Sequence, residues 1–219
     1  MANIRKVPRK DITNPIMLAY FERLFGPDRD PINDPGTATG SPGDWWSVFA
    51  NSEEVFEHAV AGFKLYRSPN IRLNPILREL GQARVGWTIG SQFVFSQHCK
   101  LLRALGASDE KIRALPAWQV SDLFDTRERA VLTYADCLST GRGRTPADVM
   151  EKLKTFLSDE EILEFTYIAS MYVMHAIMSR ALRTEFDDRP ESIVEVDAPE
   201  GFSTADFLDS RPADRAEGS

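Results

Sequence analysis

Apolar residues in this chain recur at intervals of three and four positions, and almost nowhere at intervals of two. This spacing places them along one face of a helix, whereas a half-buried strand requires alternation of apolar and polar residues. Residues that cap helices stand before the periodic stretches, and glycine or proline interrupts the chain between several of them. The sequence therefore predicts an all-α protein of about eight helices.

The cap and stop signals also predict where the helices begin. The residues expected to cap the start of a helix are Asn14, Ser52, Asn74, Ser91, Ser108, Asp125, Thr145 and Ser158. Asp125 and Ser158 are each followed three residues later by glutamate, which is the pattern of a capping box. The last helix is apolar around much of its circumference, and this breadth indicates burial on several sides.

Composition divides the chain into three predicted segments. Residues 1–46 hold a helix and a loop from Gly26 to Asp44 that is rich in glycine, proline and aspartate. Residues 47–186 form the main helical domain, and residues 187–219 have the composition of an extended or disordered tail. A long loop in a compact domain is either a lid over a binding site or an idle insertion.

Charge and composition favour a protein without nucleic-acid or membrane partners. The formal net charge of −7 does not provide the basic face that binding to nucleic acid requires. We found neither a signal peptide nor a stretch approaching the ~18 apolar residues of a membrane span, so we expect a cytoplasmic protein. The cysteines, Cys99 and Cys137, and the three histidines lack the spacing of a metal site, so no metal is expected.

A histidine on an apolar helix face suggests a site. His98 has Val94 four residues before it and leucines three, four and seven residues after it, so its ring points inward. It is either a core histidine with a satisfied hydrogen bond or a proton carrier. Glu79 borders the apolar face of the preceding helix, and a turn at Gly90 folds the two helices side by side. A carboxylate on one ring nitrogen fixes the tautomer and makes the other nitrogen an oriented base.

The same residues resemble those of a known family. The Arg78–Glu79 pair, a break at Gly90 and the run SQFVFSQH from Ser91 to His98 resemble the carboxymuconolactone decarboxylase family and its relative alkyl hydroperoxidase D. The resemblance covers about residues 47–186. It implies an alkyl hydroperoxidase D-like helical bundle, a homo-oligomer (dimer, trimer or hexamer), and catalytic roles for Glu79 and His98.

Departures from the family pattern bear on the chemistry. The hydroperoxidases have a CxxC motif seven and four residues before the histidine, where this chain has Ser91 and Val94. Cys99 cannot replace these thiols, because it lies about 100° around the helix from His98. The usual tyrosine and second glutamate of the family are here Phe93 and Val94, which predicts a more apolar pocket.

We therefore expect a lyase, such as a decarboxylase, or an isomerase that uses no cofactor and acts on a small carboxylated or lactone-like substrate. The candidate substrate-binding residues are Ser91, Phe95, Trp46, His175 and Arg180. Three of them have a structural alternative: His175 suits a core or an interface, Trp46 suits a core, and Arg180 suits a salt bridge between helices. A non-catalytic ligand-binding or scaffold protein and a peroxidase-like protein remain as alternative functions.

Overall fold

In the computed structural model, residues 2–37 and 41–184 form nine α-helices and two 3₁₀-helices, and these residues include no strand. The α-helices are α1 (Pro15–Phe25), α2 (Asp44–Phe49), α3 (Glu53–Tyr66), α4 (Pro75–Ile89), α5 (Gln92–Ala104), α6 (Asp109–Ala114), α7 (Thr126–Ser139), α8 (Ala147–Lys154) and α9 (Asp159–Leu182). The 3₁₀-helices are Arg9–Asp11 and Leu115–Val120. The prediction of an all-α fold is confirmed. The tail predicted at residues 187–219 and the end of the 47–186 segment lie outside the described residues.

Side-chain caps begin most of the helices where the sequence predicts them. Asn14 and Asn74 accept hydrogen bonds from the main chain of the first turn, and proline follows each of them. The capping boxes at Asp125 and Ser158 are both complete. These local bonds satisfy amide groups that would otherwise lack partners, so the helix starts could be predicted without tertiary information.

Helix α2 was not predicted. It begins after Gly43, whose φ of 101° lies in the left-handed region, and no side chain caps it. Five of its six residues, Trp45 to Phe49, are buried, so it has no polar face and no helical periodicity. Because α2 crosses the boundary predicted after residue 46, the structure does not divide the chain there.

Helix α4 lies at the centre and packs against α5, α7 and α9. It approaches α5 closely at Gly86, where a Cβ atom would lie 2.5 Å from the backbone nitrogen of Phe95. Gly90 ends α4 with a φ of 77°, a conformation that glycine adopts without strain, and α5 then returns along α4. This helix pair brings Glu79 and His98 face to face.

A second hydrophobic core is rich in aromatic residues. It is built by α1, α2 and α3 with residues of the N-terminal segment, and includes Phe21, Phe25, Trp45, Phe49 and Phe56. The N-terminal segment is held by main-chain hydrogen bonds from Asn3 to Leu182 and from Val7 to Ser47. The helices that follow the first 46 residues therefore share a packed interface with those residues.

Helix α9 is the longest described helix and has an unusual composition. Its 24 residues include an 18-residue window with a mean hydropathy of 1.2, which matches a membrane span in length and composition. The expectation that no stretch of the chain approaches such a span is wrong on this measure. Half of that window is buried within the protein, as in the core helix of a globular fold.

Candidate active site

The predicted pair of Glu79 and His98 is in contact. The Nδ1 atom of His98 lies 2.7 Å from Oε2 of Glu79, and both side chains are at most 2 % exposed. An ionised carboxylate only accepts hydrogen bonds, so we assign the ring proton to Nδ1. In the neutral ring the lone pair then lies on Nε2, and this atom has no hydrogen-bond partner.

Two further side chains fix the Glu79 carboxylate. The Tyr66 hydroxyl donates to Oε1 of Glu79 at 2.6 Å, and Nε of Arg78 donates to the same oxygen at 3.3 Å. The Arg78 guanidinium also lies 4.4 Å from the centre of the Tyr66 ring and donates to the Tyr66 carbonyl. Arg78 therefore holds both the carboxylate and the tyrosine that supports it.

These contacts determine the charge of Glu79. Burial alone raises the pKa of Glu79, but the hydrogen bond and charge of His98, the charge of Arg78 and the Tyr66 hydroxyl outweigh burial and lower that pKa. Burial and the nearby Glu79 raise the pKa of Tyr66 well above its ordinary value, so its hydroxyl stays protonated and donates. Glu79 is thus a carboxylate, and the site is built to hold an imidazolium.

His98 faces a cavity of about 100 Å³. The cavity is lined mainly by aromatic and aliphatic side chains: Leu24, Trp45, Trp46, Phe63, Tyr66, Phe93, Val94, Leu101 and Tyr172. The edge-on ring of Tyr172, whose centre is 4.3 Å from that of His98, holds the imidazole in place. Ser41 and the two tryptophans bring the 26–46 segment to the cavity wall, as the lid interpretation of that loop requires.

A second buried histidine lines the same cavity. His175 on α9 is 4 % exposed, and neither of its ring nitrogens has a hydrogen-bond partner. Its ring is surrounded by those of Trp45, Phe63 and Tyr172 at centre distances of 5.4 to 5.7 Å. Burial, followed by the charges of His98 and His58, lowers the pKa of His175 to about 4. His175 is therefore neutral at neutral pH and can donate from one nitrogen to a molecule in the cavity.

Two cations complete the lining. Arg67, at the end of α3, and Lys100, on α5, are half-buried, and both line the cavity. Burial lowers the pKa of Arg67, although an arginine remains charged at neutral pH. A mainly apolar cavity with two cations in its wall can accommodate a small molecule that carries an acid group.

The structure brings some of the predicted site residues together and separates others. Trp46 and His175 line the cavity with His98, and Glu79 lies behind His98. Ser91, Phe95 and Arg180 are not among the residues that line the cavity.

The three outlying residues have structural contacts instead. The Ser91 side chain caps α5 by accepting from the Val94 amide. Phe95 packs into the main core, with its ring centre 5.5 Å from that of Trp87. Arg180 is exposed and donates to the Ile89 carbonyl at the end of α4. These contacts are structural, and none of the three side chains borders the cavity that His98 lines.

Tyr66 and Tyr172 are functional candidates that sequence reasoning missed. Each lies on a different helix from His98, in a stretch whose local pattern is only that of a buried helical face. Their contact with the Glu79–His98 pair depends on the packing of α3 and α9, so no local signal in the sequence identifies them.

The two thiols are separate from this site. Cys99 is fully buried in the main core, and burial raises its pKa to about 12. Cys137 is half-buried on α7, and burial also raises the pKa of its thiol. Among residues 2–37 and 41–184, no group of three or more His, Cys, Asp or Glu side chains is placed to hold a metal ion.

Sequence comparison shows that the part of the chain holding this site is similar to a known family. Residues 56–136, which include Tyr66, Glu79 and His98, match the model of the carboxymuconolactone decarboxylase family. The chain is 32 % identical over 119 residues to the uncharacterised Escherichia coli protein YnjA, covering 54 % of this chain. It spans 61 % of the length of YnjA.

Solved structures share the fold. The chain superimposes with a TM-score of 0.56 and 25 % identity on ATU0492 of Agrobacterium tumefaciens, a protein of unknown function described as a candidate antioxidant defence protein AhpD. That match covers 61 % of this chain and 90 % of the other. A cysteine-to-alanine variant of the debrominase Bmp8, bound to 2,3,4-tribromopyrrole, superimposes with a TM-score of 0.63 at 15 % identity, covering 84 % of this chain and 92 % of Bmp8. The chain thus has an AhpD-like helical fold, and its residues 56–136 are similar to the carboxymuconolactone decarboxylase family.

Proposed function

We propose that this protein is a cofactor-independent lyase or isomerase in which His98 transfers a proton on a small carboxylated or lactone-like substrate. The observation that supports this most directly is the state of the His98 ring. Its Nδ1 is held by a buried carboxylate, and its Nε2 is unpartnered beside a cavity. A purely structural histidine would normally have both nitrogens satisfied.

The proposed chemistry is proton transfer without a change in oxidation state. In an isomerisation, the lone pair on Nε2 removes a proton from carbon, the proton on Nε2 exchanges with solvent, and the imidazolium then protonates another carbon of the delocalised anion. A decarboxylation instead starts from the imidazolium. Loss of CO₂ leaves an electron pair delocalised into a neighbouring carbonyl or alkene, Nε2–H of the imidazolium protonates the carbon, and solvent returns a proton to Nε2. Glu79 stabilises the imidazolium in both cases, since it remains ionised next to the ring.

The other cavity residues have complementary roles. The neutral ring of His175 donates a hydrogen bond to a substrate oxygen on which negative charge develops. Arg67 and Lys100 attract the substrate carboxylate, and the walls formed by Trp46 and Phe93 exclude water from the reacting carbon. These roles explain why the ring nitrogens of the buried His175 have no partner and why Arg67 and Lys100 lie in the wall of an aromatic cavity.

A peroxidase-like function is less well supported. Thiol chemistry needs a thiolate, and burial raises the pKa of Cys99 to about 12. Neither Cys99 nor Cys137 lines the cavity. A non-catalytic ligand-binding role requires the cavity but gives no reason for the hydrogen bond between Glu79 and His98. Loss of this bond should therefore impair a catalyst more than a ligand-binding protein.

The test is a solvent-isotope experiment. Carboxymuconolactone and related lactones and enones are incubated with the protein in deuterated water, and product deuterium is measured by mass spectrometry. We expect one solvent deuterium on carbon, and a rate loss of about 10²-fold or more for His98→Ala, as for a positioned acid or base. His58→Ala, at an exposed histidine that does not line this cavity, is the matched control.

Full activity of His98→Ala on any substrate would overturn the proposal. Compounds that bind to the protein in calorimetry but are never converted would favour the ligand-binding alternative.

A further inference from the structure

The outer face of α9 carries a row of apolar side chains that no other described part of the chain covers. Leu163, Tyr167, Met174 and Ile177 are between 42 % and 68 % exposed, and Ser170 is exposed at the centre of the row. We call these five residues the α9 stripe. They follow one another at intervals of four, three, four and three residues, the spacing of a seam between two paired helices.

A groove of about 400 Å³ runs beside the α9 stripe, between α3 and α9. On the α3 side it is lined by small residues, Ala59, Ala61 and Gly62, and by the partly exposed Leu65. Tyr167, Ser170 and Met174 of the stripe form part of its other wall. Small residues beside a row of large ones provide the knobs and holes that a second helix needs.

The α9 stripe is complementary to itself. Leu163 and Ile177 each lie seven residues from Ser170. Tyr167 lies between Leu163 and the serine, and Met174 lies between the serine and Ile177. When a second α9 packs antiparallel about a twofold axis near Ser170, Leu163 of one copy meets Ile177 of the other. The smallest residue of the stripe then lies where the helices approach most closely. Such a twofold interface uses the same patch on both copies.

The charges at the ends of α9 favour the antiparallel arrangement. Asp159, Glu160 and Glu161 lie in its first turn, and Arg180 lies in its last. Glu160 and Arg180 are exposed, and each is ten residues from Ser170, so the twofold axis places Glu160 of one copy at the same level along the helix pair as Arg180 of the other. A parallel pair would instead align the acidic ends and the helix dipoles.

We propose that the α9 stripe is the centre of a twofold dimer interface in which α9 of a second copy packs antiparallel across the groove. This inference does not depend on the proposed reaction. It does affect the site, because His175 lines the groove as well as the cavity. The second copy therefore covers the outer side of the wall that holds His175.

Oligomeric state provides the first test. In analytical ultracentrifugation, the full chain should have twice its 24.7 kDa mass at micromolar concentration. Ile177→Glu should raise the dimer dissociation constant by about 100-fold or more, since a charge is then buried in an apolar contact. Val120→Glu is the matched control, because Val120 is 88 % exposed and lies away from α9.

Cysteine cross-linking tests the position of the axis and the orientation. In a Cys137→Ser background, Ser170→Cys should form a disulfide-linked dimer under mild oxidation, and Val120→Cys should not. Leu163→Cys alone should remain uncrosslinked, whereas mixing it with Ile177→Cys should give a heterodimer. Efficient self-cross-linking of Leu163→Cys would indicate a parallel pair and overturn the orientation.

Other assemblies give different results. A monomer at all concentrations, or a trimer in which Ser170→Cys does not cross-link, would overturn the proposal. So would a monomer that cosediments with phosphatidylcholine–phosphatidylglycerol vesicles, because the stripe would then be covered by lipid.

Discussion

Replacing Glu79 with glutamine tests whether the buried carboxylate controls the His98 ring. The carboxylate accepts from Tyr66 and Arg78 on one oxygen and from His98 on the other. A glutamine must keep its carbonyl towards Tyr66 and Arg78, since the arginine can only donate. Its NH₂ group then faces Nδ1 of His98, which must become an acceptor. The ring proton moves to Nε2, and the lone pair there is lost.

The expected loss of rate follows from the energy of the hydrogen bond that is removed. A hydrogen bond to a charged group contributes roughly 1.5–3 kcal/mol, against about 0.5–1.5 kcal/mol for a neutral bond. Losing the charged bond to the imidazolium therefore costs up to about 3 kcal/mol in the transition state. At 1.36 kcal/mol per factor of ten, this corresponds to a rate loss of about 10²-fold. Folding stability should change less, because Glu79→Gln also removes the cost of burying a charge.

The assay compares kcat/KM with urea unfolding for each variant. Glu128→Gln is a matched control, because Glu128 is a buried glutamate that binds Lys111 and the Asp125 main chain. It should lower stability and leave kcat/KM unchanged. Adding Glu79→Gln to His98→Ala should slow the reaction no further, since the two side chains act as a unit. Additive losses, or a wild-type rate for Glu79→Gln, would refute the reasoning.

Three further predictions concern pH, packing and thiols. Between pH 6.5 and 4 the unfolded chain binds a proton at His175 that the folded protein does not, so wild-type stability falls over this range, by roughly 3 kcal/mol in all; urea unfolding at pH 7 and 4.5 should show a smaller fall for His175→Gln, and an equal fall would contradict the assignment. Gly86→Ala should destabilise by about 1–3 kcal/mol, because its Cβ meets the backbone of α5, whereas Gly62→Ala meets only the flexible end of a methionine side chain and should cost less in the same assay. A thiol reagent should label Cys137 before Cys99 in the folded protein, and Cys99→Ala with Cys137→Ser should retain turnover; thiol-dependent conversion of alkyl hydroperoxides would contradict this.

The helices were predictable where the signal is local. Asn74 with Pro75, and Ser158 with Glu161, form their caps within four residues, so the sequence alone predicts where α4 and α9 begin. Helix α2 has no such signal. It starts at a glycine in the left-handed region, and tertiary burial rather than an amphipathic pattern stabilises it.

The site was predictable only in part, for a related reason. Glu79 and His98 lie on consecutive helices joined at Gly90, so a short turn implies their contact. Tyr66 and Tyr172 reach the pair from α3 and α9, and only the packed fold brings them there. Arg180 was expected near the substrate because of its charge, but its guanidinium instead binds the carbonyl that ends α4.

The departures from the family pattern are consistent with the cavity that the structure contains. Where the family has a tyrosine and a second glutamate, Phe93 and Val94 form part of the apolar wall beside His98. A glutamate at 94 would place a second carboxylate in the wall that His98 lines, where it would compete with Glu79 for the imidazolium. With valine there, Glu79 is the carboxylate that orients His98. In the proposed mechanism, His175 and the cations on the cavity wall bind the polar part of the substrate, so proton transfer and recognition are carried out by different residues. This arrangement would suit a substrate with an apolar body and one acidic end.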